Sequence, residues 1–522
     1  MKNLPHNNIK KILIFTVFLI IVVRLSGCIN ISNLDNAEDI EDKDILIIAF
    51  FENSSIYPYG VNAENQLTII PNIFNGLVEY DKNFKIIPAL SESWYNPNNL
   101  TWRFNLRKDV KFHNGYNFTA EDVKFSIDEI FSSYSSFIDE VVIIDNSTIE
   151  IKTILPYPTL LSKFAKSFFV FSKKYIEETE SDWPIGTGAY KLVEYVEYNY
   201  SKLESFDEYW GNKPYIKTVI FKLIKDDEER IKQLVSGSVD IAEYNVNESI
   251  NEILKNNNIK MVKFAPLSTY IIGFDLRENN SYGFADSKNP TSDLRVRKAF
   301  YHAIDIEPLI NGPFQGLATP ATQYISSYIF GYNPEIERLS YNIDQARDLL
   351  IEAGYEDGFE IEMDCITEMY DYNKENCRLI AEQLSEIGIN ISLNELSKEE
   401  FNKKVVIEKN TSLWLVGWGI LSPDGGVAYD YFIRTEGENY LGYLNSGHYS
   451  NSTVDILGEK ASFEMDTRLR QNYLKEGFKI AVVDDVTIIP LFSQELFVFA
   501  SKNVEIEPRA DLKFYVNKIQ FK

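Results

Sequence analysis

Histidine, cysteine and basic charge are all scarce in this chain. With four histidines and three cysteines among 522 residues, no neighbourhood offers the three or four ligands that a zinc or transition-metal site takes. Lys plus Arg number 52 against 77 Asp plus Glu, a net charge of -25. Such a chain repels phosphate backbones and anionic headgroups, which argues against nucleic-acid binding. Catalytic signatures are missing as well. No HExxH, GxSxG or cysteine–histidine pairing speaks for a hydrolase, and no Walker A sequence GxxxxGK[ST] for an ATPase.

Long apolar runs are also few. The stretch "ILIFTVFLIIVV", Ile12 to Val23, would reach only ~18 Å as a helix, short of the ~30 Å of a bilayer core. Lys2, Lys10 and Lys11 precede it and Ser26–Gly27 follow, the order of a secretory signal. "LSGC" resembles a lipobox, which makes residues 1–27 a removed leader and Cys28 the lipid-bearing first residue. The expected location is the outer face of the cell membrane. The acidic segment 28–44, which closes on "NLDNAEDIEDKD", has too little apolar content to fold and reads as a tether. Cys365 and Cys377 remain. One ends a strand-like alternation and the other opens a helix-like stretch, so they either meet in a disulfide, which export permits, or are two buried small residues.

What is abundant is aromatic surface, 14% of residues, enough to furnish both cores and a cleft that grips a ligand by ring faces. Trp102, Phe104 and Leu106 alternate as one face of a strand. Thr119 and Asp122 have capping-box spacing ahead of Val123, Ile127 and Ile130. Further on, strand-like runs ("KTVIFKLI", "VDIAEY", "FEIEMDCI", "INISLNEL", "SLWLVGWG") alternate with helix-like ones ("DDEERIKQLVSG", "NIDQARDLLIEAG", "NKENCRLIAEQLSEIG"). That alternation predicts an α/β architecture with parallel sheets.

The stretches "IIPALSESW", "LTWRFNLRKDVKFHNGYNFTAEDVKFS", "PIGTGAYKL", "YWGNKPYI", "DLRVRKAFYHAID", "QARDLLIEAGY", "VGWG", "HYSNSTVD" and "TIIPLF", in that order, resemble family 5 of the extracellular solute-binding proteins. These are the peptide- and nickel-binding receptors of ABC importers. The resemblance implies a two-lobed periplasmic-binding-protein-like fold with hinge crossovers. Lobe I would span 45–266 plus 489–522, with a small extra subdomain, and lobe II 267–488; "STYIIGFDL" and "TIIPLFSQ" would be the crossovers. It implies a monomer that is no enzyme and needs no cofactor. It would capture a small peptide, or a peptide-like or metal-chelate ligand, for a permease with cytoplasmic ATPases. Competing classes are a surface hydrolase and a sensory receptor.

In the motifs, Asp293 is a good N-cap for a helix with Val296, Ala299, Phe300 and Ala303 along one stripe, which turns Arg295 and Arg297 toward carboxylates. The glycines of "PIGTGAYKL" read as a sharp turn into a strand. For the ligand site, Trp418 ends a strand, where open α/β sheets hold their ligands. Peptide-binding relatives have an acid three residues beyond; here that position is Leu421. Asp424 either takes over that role or is a turn residue in "SPDGG". His448 stands where a nickel-transporting relative places a metal-reaching histidine, and is otherwise a surface loop residue. Tyr57 and Tyr59 either line the cleft or pack a turn. First-lobe stretches offer Tyr134, Phe137 and Lys166 but no arginine.

Overall fold

The computed structural model describes residues 44–522 apart from 53–54, 58–68, 131–133, 135, 182, 245–249, 280, 285–287, 368–370, 420–421 and 512. Cys28, the leader, the tether as far as residue 43, Tyr59 and Leu421 lie outside the described residues.

Two large sheets organise the chain. The strand Ile45–Phe50 is apolar throughout, with Leu46, Ile48 and Ala49 wholly buried, as a strand covered on both faces must be. It pairs in parallel with Thr218–Leu223 and Ile241–Glu243 inside a seven-stranded sheet. The second sheet has six strands, with Phe359–Ile366 parallel to both Ile389–Leu396 and Leu413–Trp418. The helix Asp371–Ser385 and the helical segment 398–407 supply the crossovers. Both sheets also carry antiparallel strands, so the parallel sheets expected from the helix–strand alternation are mixed. The antiparallel members are those that pass between the sheets or close an edge hairpin.

The passage between the sheets is double. Ile259–Lys263 pairs antiparallel with Phe497–Ser501 in the first sheet, and Ser268–Phe274 pairs antiparallel with Ile488–Gln494 in the second. The same two lengths of chain thus run side by side from one sheet into the other, crossing at 264–267 and 495–496. At the crossing the Phe264 amide donates to the Leu496 carbonyl at 2.7 Å, and Lys263 meets Glu495 at 2.6 Å. Ile488–Gln494 lies wholly in the second sheet, so the return falls a few residues after position 489. A separate four-stranded antiparallel sheet, Ser91–Asn98, Thr101–Leu106, Ile138–Asp145 and Thr148–Thr153, forms the smaller unit of the first half.

Local signals act as physical chemistry requires. Thr119 and Asp122 form the capping box of Ala120–Phe125. Asp293 caps Leu294–Ala303 by accepting from the Arg295 amide, and Val296, Ala299, Phe300 and Ala303 are wholly buried. Arg295 pairs with Asp293, but Arg297 is buried and donates to four backbone carbonyls, those of Thr291, Ser292, Asp485 and Val486. The carboxylate partner expected for it is replaced by chain ends that need donors. Cys365 and Cys377 are joined by a disulfide and both are buried. It ties the end of a strand to the helix that follows it.

The motifs "FHNG" and "PIGTG" turn out to be one feature. The Gly186 amide donates to His113 Nδ1 at 3.3 Å, while Nε2 meets the Gly188 carbonyl at 3.0 Å. The ring is therefore neutral, with its proton on Nε2. Burial lowers its pKa to about 4. Because the folded form disfavours the charged ring, its contribution is complete above pH 6.5 and is lost as pH falls toward 4. Between pH 7 and pH 4.5 urea unfolding of the native chain should show about 2–3 kcal/mol of loss that His113→Gln does not show.

Candidate functional site

Trp418 stands at the C-terminal end of Leu413–Trp418, beside Thr269 on the crossover strand. Its ring is half-buried and meets Phe432 edge-on at 5.3 Å. With Tyr324, Leu444, Asn445 and Ser446 it bounds a cavity of about 20 Å³, room for about one water. The Tyr324 and Thr487 hydroxyls close the inner side at 2.9 Å.

Asp424 lies behind this wall, buried. Its carboxylate accepts from Arg470 Nη1 at 2.6 Å and Nη2 at 2.7 Å, and from the Gly426 amide at 2.9 Å, capping the helix Gly425–Phe432. Arg470 also donates from Nε to the Ala461 carbonyl and lies over the Phe330 ring. Both carboxylate oxygens are thus engaged inside the protein. Asp424 is the turn and cap residue of the two readings, and a free α-ammonium has no open face of it to meet.

His448 is half-buried, with backbone φ of 55°, and its Nε2 faces the Lys409 carbonyl at 3.4 Å. Burial, then the nearby Arg277 guanidinium, lowers its pKa. Its neighbours Gly447 and Tyr449 line the Trp418 cavity but His448 does not. No group of three or more His, Cys, Asp or Glu suited to a metal ion occurs among the described residues. Tyr57 packs partly buried against the first core, and Tyr134 is likewise a core residue.

A larger cavity, about 340 Å³, opens between residues 136–159 of the first half and 426–474 of the second. Phe137, Leu155 and Tyr157 form one wall; Val427, Asp430 and Arg470 belong to the other. Asp430 and Arg470 were not legible as site residues. Asp430 sits one helical turn beyond Gly426, a spacing that puts both on one face. Arg470 carries no local signal, since only tertiary contact brings it to Asp424.

Residues 85–440 match the model of the bacterial extracellular solute-binding proteins, family 5. The chain is 26% identical over 505 residues to the nickel-binding protein NikA of Staphylococcus aureus, covering 94% of this chain and 96% of that one. It is 26% identical over 386 residues to the dipeptide-binding protein of Escherichia coli, covering 66% and 70%. In fold it resembles HbpA2 from Haemophilus parasuis, with a TM-score of 0.81, 22% identity, and 92% of this chain and 100% of that one covered. The double passage between sheets, the cavity between the halves it joins and the family match together place this two-lobed chain: it belongs to the bacterial extracellular solute-binding proteins, family 5.

Proposed function

We propose that the protein is the ligand-capturing component of an ABC importer. It holds a small peptide, or a peptide-like or metal-chelate ligand, between its two lobes and hands it unaltered to a permease with cytoplasmic ATPases. It works as a monomer, held to the outer face of the membrane by a lipid on Cys28. The observation that carries this reading is the paired crossing at 264–267 and 495–496, together with a cavity walled by residues from both halves. Two adjacent strands form a connection that bends without breaking either sheet. A ligand then shifts the open–closed balance only through contacts it makes better in the closed form. The names of the relatives, nickel-binding and dipeptide-binding, support this ligand class.

Native mass spectrometry of the protein as purified tests the reading. A bound peptide mixture or a metal chelate is the expected result, and each has a distinct mass signature. Cleaved products from an added peptide library would refute capture without chemistry. A saturating ligand at a hundredfold excess over Kd should stabilise the fold by roughly 2.7 kcal/mol. Trp418→Ala should weaken ligand binding about ten- to a hundredfold in calorimetry, by removing a ring face at the cleft. Because the ring is half-buried with one aromatic neighbour, the unliganded melting temperature should move little. A large drop would make Trp418 a core residue instead.

A further inference from the structure

We propose that Asn99, Asn146 and Asn199 carry N-linked glycans, each at the tip of a β-hairpin, where the sugar covers an apolar side chain that the protein leaves bare. This goes beyond capture and does not depend on which ligand is held. Eleven Asn-x-Ser/Thr triplets, with x other than proline, occur in the chain. Such a triplet is the acceptor for an asparagine-linked glycan in an exported protein, and the family is extracellular. Eleven matches are too many for the motif to decide among, so the fold must.

Three of the triplets turn hairpins. Asn99–Leu100 is the two-residue loop joining Ser91–Asn98 to Thr101–Leu106, and Asn146–Ser147 joins Ile138–Asp145 to Thr148–Thr153. Asn199 ends the loop from Tyr190–Val196 into Tyr200–Ser205. All three asparagines are exposed. The backbone at two of the tips is tied down. The Asn146 carbonyl accepts from the Ala120 amide at 3.1 Å, and the Asn199 carbonyl from the Leu223 amide at 2.8 Å. The side chains are not: among the described residues none of the three side-chain amides makes a hydrogen bond.

Each tip also exposes a large apolar side chain within two residues of its asparagine: Leu100 at 43%, Ile144 at 50% and Tyr198 at 67%. Apolar groups at hairpin ends bury nothing and invite self-association. The first sugar on the adjacent asparagine can lay its C–H face over such a group and take apolar area from water. Among the described residues no other triplet has both features. Asn117, Asn279, Asn390 and Asn410 lack an exposed large apolar neighbour at that distance. Asn451 caps the helix Ser452–Phe463, and its amide is engaged by Asp485 at 2.9 Å.

The hydroxyls two residues on fix the time of attachment. Thr101 and Ser201 are buried once their strands pair, so the transferase meets these triplets before the hairpins close. In the transfer the asparagine Nδ2 bonds to the anomeric carbon of a polyprenyl-phosphate-linked oligosaccharide. The bond from that carbon to the phosphate oxygen breaks, and the phosphate leaves with the electron pair. One amide proton passes to a base of the membrane transferase. None of the three asparagines has a positive φ, so a glutamine put in its place does not strain the turn.

The test takes the protein from the cells that make it and reads its proteolytic peptides by mass spectrometry with electron-transfer fragmentation, which keeps a glycan on its residue. The expected result is a glycan mass on Asn99, Asn146 and Asn199 in most copies, and none on Asn451. Thr148→Ala, which removes the acceptor hydroxyl and leaves Asn146 in place, should abolish the mass on Asn146 alone. The triple variant Asn99→Gln, Asn146→Gln, Asn199→Gln, made in the same cells, should fold by circular dichroism but self-associate at least tenfold more readily by light scattering. A tip left bare in most native copies overturns the proposal, as does a glycan on Asn451 as frequent as theirs. A mass that persists on Asn146 in Thr148→Ala overturns it too. If the triple variant stays as dispersed as the native chain, the glycans do not cover the apolar tips and the proposal fails on that point. Should the triple variant not fold, the masses on the native protein and on Thr148→Ala decide.

Discussion

Arg470→Met should cost about 3–5 kcal/mol of folding stability, measured by urea unfolding at pH 7. The variant keeps the length and much of the apolar stem of the side chain, so the loss is electrostatic. It strands the Asp424 carboxylate, 3% exposed, with the Gly426 amide alone of its present donors. A buried charge without its partner costs far more than the intact pair contributes. The double variant Asp424→Asn, Arg470→Met removes both charges and should recover most of the loss. A double-mutant cycle then reports the coupling directly. If the single variant loses less than about 1 kcal/mol, Asp424 is wetter than its contacts show, and its claim to a ligand role reopens.

Gly186→Ala should destabilise the first lobe by about 3 kcal/mol or more, at the high end of what overpacking costs. A Cβ at this position would lie 2.0 Å from the Ile73 carbonyl oxygen and 2.9 Å from the Phe74 ring. At Gly188 it would lie 2.3 Å from the Asn72 carbonyl. The obstructing atoms are mostly backbone, and the Gly188 amide donates to the Ile73 carbonyl at 2.8 Å, so the two segments cannot separate without breaking that bond. Neither glycine has a positive φ. The chain does bend at 187–189 into the strand Tyr190–Val196, but what demands glycine there is the close approach of two segments rather than a positive φ. Circular dichroism melting of Gly186→Ala beside Gly115→Ala separates the causes. Gly115 has φ of 86° with nothing within 4 Å of a Cβ, so its cost is conformational alone, about 1 kcal/mol.

Signals confined to one turn or one strand were legible because their causes are local. The capping box at Thr119, the cap at Asp293 and the buried alternation of Trp102, Phe104 and Leu106 need only neighbours within a few residues. The strand that ends at Trp418 was legible in the same way. Arg297 was misjudged because its partners come from two segments, one of them nearly two hundred residues away. The role of Asp424 hung on Arg470, 46 residues further on. The sheets came out mixed because the strands leading between them must run antiparallel to each other to leave and return together.

By itself the sequence determined the class of the molecule: an acidic chain without catalytic or metal-binding patterns, built of alternating strands and helices. Each of those follows from composition or from spacing along one element. Tertiary structure decided that Asp424 is committed to Arg470, and why the motif glycines cannot carry a side chain. It also decided where the chain recrosses between sheets. These depend on distances between residues far apart in sequence, which no local pattern encodes.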